Sequence, residues 1–91
     1  MNTTNEVFNL ISKIEKKLTQ KNFNIIGIEW NSESNVLIFQ LEDNLKSYIE
    51  VHIPVIFKIK CIPKKPFNIK FTKVPSVKEI KDFKKFLNKI I

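Results

Sequence analysis

The chain has one cysteine, one glycine and one histidine, and every one of its sixteen basic residues is lysine. A single Cys61 excludes an internal disulfide framework and a cysteine-based zinc site. One His52 without companions excludes a histidine triad, and there is no HxxxH spacing and no glycine-rich phosphate loop. Without arginine there is no forked guanidinium to read guanine edges or clamp phosphates in two-pronged fashion. No apolar run approaches the roughly 18 residues of a membrane span. The first residues, MNTTN, carry neither a basic nor a hydrophobic segment of the kind that opens a signal peptide. A cytoplasmic protein with no cofactor, no metal, no membrane association and no small-molecule substrate is therefore expected, and an enzyme is not.

Apolar residues are plentiful: they make up 43% of 91 residues and include eight phenylalanines, enough for one core in one domain spanning 1–91. Residues 1–50 hold five lysines against seven acids, and residues 51–91 hold eleven against two, so nets of −2 and +9 sum to the overall +7. The basic half can draw polyanions through salt-sensitive attraction. Lysine, isoleucine and asparagine enrichment follows equally from AT-rich coding.

The strongest pattern is IEVHIPVIFKIKCIPKKPFNIKFT, residues 49–72. Ile49, Val51, Ile53, Val55, Phe57, Ile59 and Cys61 alternate with Glu50, His52, Pro54, Ile56, Lys58 and Lys60, the period of two of a strand with one buried face. The phase continues through Pro54, predicting one long strand from about Lys46 to Lys60 that is either at a sheet edge or locally unpaired at the proline. A turn over 62–66 then leads to a strand over 67–73 with Phe67, Ile69 and Phe71 inward.

Upstream, Thr3 with Glu6 forms a capping-box pattern before Val7, Leu10, Ile11, Ile14 and Leu18, predicting a helix over 4–20. Residues 23–30 read as a strand with Ile26, Ile28 and Trp30 on one side, and the lone Gly27 suggests a bulge or a close contact. The polar turn 31–35 predicts a hairpin into a strand over 36–42 with Leu37, Phe39 and Leu41 inward, and Asp43-Asn44 makes the next turn. After Pro75, Ser76 with Glu79 repeats the capping box. Ile80, Phe83, Phe86, Leu87, Ile90 and Ile91 then line one face of a closing helix from about 77.

The fold class is α+β, a two-layer sandwich of order α-β-β-β-β-α: a four-stranded antiparallel meander with helices from both chain ends on one face. The other face carries Val36, Ile38, Tyr48, His52 and Ile56, too apolar to be simply wet, and a protein partner or a second copy of the chain is expected to cover it. Lys58, Lys60, Lys64, Lys65, Lys70, Lys78, Lys81, Lys85 and Lys89 are the candidate polyanion-binding set. The plain reading of the stripe at Lys78, Lys81, Lys85 and Lys89 is a solvated helix face; the functional one is a landing surface for phosphates or acidic side chains.

The run Ile62-Pro63-Lys64-Lys65-Pro66-Phe67-Asn68-Ile69-Lys70-Phe71 resembles the proline signature Tyr-Pro-x-x-Pro-Pro-x-Ile-x-Phe of ubiquitin-conjugating enzymes, their inactive variants (UEV domains) and RWD domains. Ile62 stands for the tyrosine and Phe67 for the second of the paired prolines. The element order over about residues 5–75 is similar too. In the active enzymes a nucleophilic cysteine and a His-Pro-Asn element follow the fourth strand; here nothing after Thr72 is cysteine or histidine. The resemblance thus implies a non-catalytic module that binds a protein through its open sheet face or its proline loop. The alternative is a small basic nucleic-acid-binding protein, whose plan is similar to the Alu-domain proteins of the signal recognition particle. A structural subunit or inhibitor is a third reading.

Overall fold

The structure is a computed structural model that describes residues 3–42, 47–57, 59–71 and 76–91. In chain order it contains α1 (Thr3–Gln20), β1 (Asn24–Asn31), β2 (Val36–Glu42), β3 (Tyr48–Phe57), β4 (Cys61–Pro63), β5 (Asn68–Phe71) and α2 (Val77–Ile90). The strands form one antiparallel sheet in which β1, β2 and β3 lie side by side and β4 and β5 both pair with β3. The expected Asp43-Asn44 turn, the strand start at Lys46, Lys58, the 72–75 segment and the side chain of Thr3 in the first capping box lie outside what is described.

The two periodicities meet in one core. Val7, Ile14 and Leu18 of α1 recur at helical spacing, and all three are buried against Leu37, Phe39 and Leu41 of β2 and Ile49, Val51, Ile53 and Val55 of β3. Phe83 and Leu87 of α2 join the same cluster. Phe23 packs edge-on to Phe83 at 5.4 Å and stacks on Phe86 at 5.8 Å, while Phe71 meets Phe83 at 6.2 Å, so aromatic rings weld α2 to the sheet. Lys17 Nζ donates to the Ile90 carbonyl at 3.2 Å, tying α1 to the last turn of α2. A lysine there satisfies a carbonyl that has no partner within its own helix.

Helix ends follow local chemistry. Ser76 caps α2, its Oγ accepting from Glu79 N–H at 3.2 Å. At the end of α1, Asn22 takes a left-handed conformation (φ 65°). Phe23 N–H reaches Leu18 O at 3.3 Å and Asn22 N–H reaches Thr19 O at 3.1 Å, the paired bonds that close a helix at a left-handed residue.

Two expectations are corrected. The pairing of β1 with β2 shifts between Ile25 and Gly27, a bulge at Ile26. The extra residue reverses the phase, so Ile25, Ile28 and Trp30 pack on the core while Ile26 is 48% exposed. Ile26 therefore does not share a side with Ile28 and Trp30. The bulge expected at Gly27 is present, and a Cβ on Gly27 would run into Gln40 Oε1, with Gln40 Cδ at 3.3 Å.

The second correction is larger. No strand runs to Lys60: β3 ends at Phe57, and Cys61–Pro63 returns along it as β4, with Phe57 opposite Cys61 and Val55 opposite Pro63. Ile59, expected inward, lies in the reversal and is 79% exposed. The proline run is therefore not the turn between the third strand and its successor. It interrupts the returning strand: His52 pairs with Asn68 and Val55 with Pro63, so Ile53 and Pro54 face the four residues 64–67. Pro54 fits this gap. Its carbonyl accepts from Lys64 N–H at 2.7 Å, whereas the Val55 N–H points the other way, to Asn35 O at 2.9 Å. A residue's N and O share an edge, so the nitrogen that cannot donate faces the break in the ladder.

Candidate partner-binding face

The face of the sheet away from the helices gathers the five residues singled out for partner contact. Val36 and Ile38 project from β2, and Tyr48, His52 and Ile56 from β3, all in the phase opposite the buried residues. Register places Ile38 beside His52 and Val36 beside Pro54. Val36, Ile38, Tyr48 and His52 are half-buried, and Ile56 is exposed.

One end of this face is polar and internally paired. Gln40, Glu50 and Lys70 stand in one row across β2, β3 and β5. Tyr48 Oη donates to Glu50 Oε2 at 2.7 Å, and His52 Nε2 lies 2.5 Å from Glu50 Oε1. The Tyr48 hydroxyl, then His52 and Lys70, hold the Glu50 carboxyl below its ordinary range. The same hydrogen bond to Glu50 raises the Tyr48 phenol.

The other end is apolar. Ile56 sits opposite Ile62 on β4, with 37% and 43% exposure, and Ile59 occupies the turn between them. The sequence pattern read Ile59 as inward and Ile62 as the start of the proline turn, and placed neither at this end of the face, because both positions depend on the reversal after Phe57. Residues 59 and 60 contain no glycine, proline or asparagine to announce a turn.

Cys61 is buried at the inner side of β4, and burial, then Glu6, pushes its thiol upward. A thiol held protonated is a poor nucleophile. Among the described residues no group of three or more histidine, cysteine or acidic side chains could hold a metal ion, and no helix is long and apolar enough to cross a membrane.

Lys60, Lys64, Lys65, Lys70, Lys78, Lys81, Lys85 and Lys89 are all exposed, and Lys58 lies outside the described residues. They do not converge. Lys70 stands on the outer sheet face beside Glu50, whereas Lys78, Lys81, Lys85 and Lys89 belong to α2, in the layer across the core.

Comparison of the chain with protein-family models, with curated proteins and with solved structures finds no match.

Proposed function

We propose that this chain is a non-catalytic protein-interaction module of the RWD or UEV kind, binding a protein partner through its outer sheet face. The observation that carries the reading is the exposed cross-strand pair Ile56 and Ile62, continued by Ile59 at one end and by Val36 and Ile38 along the sheet. Isolated exposed isoleucines need no explanation, but apolar side chains paired across strands on one face of a sheet mark a contact surface. The inaccessible Cys61 thiol and the internally paired Glu50 carboxylate argue against acyl transfer or acid–base work at these groups. Nucleic-acid binding remains the alternative, and it ranks lower because the lysines divide between opposite layers of the fold.

The test is affinity capture with the tagged chain, comparing wild type with an Ile56→Glu/Ile62→Glu double variant and with Lys81→Glu as a surface control. Both isoleucines are exposed, so the double variant is expected to keep its fold, checked by circular dichroism. The expected result is a partner held by wild type and by the lysine variant and lost by the double variant. An unchanged set of bound proteins would overturn the assignment of this face. Titration with duplex and single-stranded nucleic acid at low and high salt tests the alternative, which predicts binding that falls steeply with salt.

A further inference from the structure

A cleft of about 300 Å³ lies between the proline run and α2, lined by Lys65, Pro66, Phe67, Ile69, Lys84, Leu87 and Asn88. Phe67 and Ile69 supply apolar walls over the buried Leu87. Both charged lining residues are lysines, one from each side: Lys65 from the loop and Lys84 from α2. We propose that this cleft takes one apolar side chain of an extended acidic segment of a protein partner, the flanking carboxylates meeting Lys65 and Lys84. The inference rests on the protein-interaction reading and adds a second contact on the helical side of the sheet.

Three observations select this occupant. The volume is at the bottom of the range of small-molecule sites, room for one large side chain. The cleft opens at the surface between the exposed Lys65, Pro66, Lys84 and Asn88, whereas a site for a free small molecule must enclose most of its ligand. A side chain projecting from a passing strand needs no such enclosure. The charge also fits: Lys64 and Lys85 adjoin the two rim lysines in sequence, and residues 51–91 carry a net +9, from eleven lysines and two acids. A phosphate backbone would use the lysines but leave the Phe67 and Ile69 walls unfilled.

The experiment uses the intact purified chain and a fluorescein-labelled peptide with one leucine flanked on each side by glutamates. Two matched peptides replace the leucine by serine or the glutamates by glutamine. Fluorescence anisotropy is expected to show binding of the first peptide, a loss of about tenfold for the serine peptide, which gives up a buried side chain, and a loss of about threefold or more for the glutamine peptide, whose carboxylates meet exposed lysines. Lys84→Glu should weaken the first peptide by about tenfold, with Lys81→Glu changing it little. Amide NMR signals of Phe67, Ile69 and Asn88 should move on titration. Equal binding of the leucine and serine peptides, equal effects of the two lysine variants, or shifts confined to Val36 and Ile38 would each overturn the proposal. So would no binding at all. Loss of partner capture by Ile56→Glu/Ile62→Glu together with a failed peptide titration would leave the outer face standing and remove only the cleft.

Discussion

Glu50 stands between Tyr48 and His52 on the outer face, accepting from the phenol and lying within hydrogen-bond reach of the imidazole. The Tyr48 hydrogen bond, with smaller help from His52 and Lys70, favours the ionised carboxyl, so its folded pKa is depressed. The contribution is thus complete above the unfolded carboxylate value of about 4.3 and is lost as pH falls through the lower folded value. The Tyr48 phenol is raised by Glu50, so its contribution holds below about 10 and is lost as pH rises through the folded value. Urea midpoints of wild type and Glu50→Gln are therefore expected to differ at neutral pH and to converge as pH falls through the depressed folded value of the carboxyl. A gap of constant size from neutral to acid would show that the charge contributes nothing. Alternation placed all three side chains on one face of one strand. That the carboxylate is satisfied by its own neighbours, leaving the apolar end of the face as the free contact area, depends on rotamers that a pattern does not specify.

At the scale of elements, the start of α2 was written in a short local signal. Ser76 with Glu79 marks the start of α2, and Ser76 does cap it. Ser76→Ala should lower stability by about 1 kcal/mol, read from denaturant midpoints at unchanged slope; an effect near zero would mean the cap is not formed in solution. The strands were legible where alternation met a turn signal, as at β2, whose bounds and buried Leu37, Phe39 and Leu41 follow the pattern throughout. They were not legible where the chain turned without a signal. The inward-reading phase of Ile59 and Cys61 survives the reversal on paper, since the alternation alone does not reveal a change of direction. The bulge in β1 is a similar case: Gly27 advertised it, but only pairing with β2 decides that Ile26 is the extra residue. Within the candidate site Val36, Ile38, Tyr48, His52 and Ile56 follow from the alternation, whereas Ile62 reaches the outer face only through the reversal.

The molecule as a whole is an α+β sandwich measuring 42 × 23 × 21 Å, with one contiguous core. Phe39, wholly inaccessible at the centre of β2, is the largest of its fully buried side chains. Phe39→Ala should cost about 3–5 kcal/mol. For a chain of 91 residues, whose whole stability is on the order of 5–13 kcal/mol, that is a large share. Thermal and urea melts check it, and a loss below about 1 kcal/mol would mean the core is not packed around Phe39. What the sequence by itself determined is the content of each layer: two amphipathic helices, strands with one apolar face, and an uncovered face with apolar and charged residues, because burial periodicity is a local property of the chain. What only the tertiary structure decided is where the chain doubles back, how the returning strand is split around Pro54, and which exposed side chains become neighbours. Those follow from hydrogen-bond pairing between distant segments, and from the requirement that the nitrogen of Pro54, which has no proton to give, face a gap in the ladder.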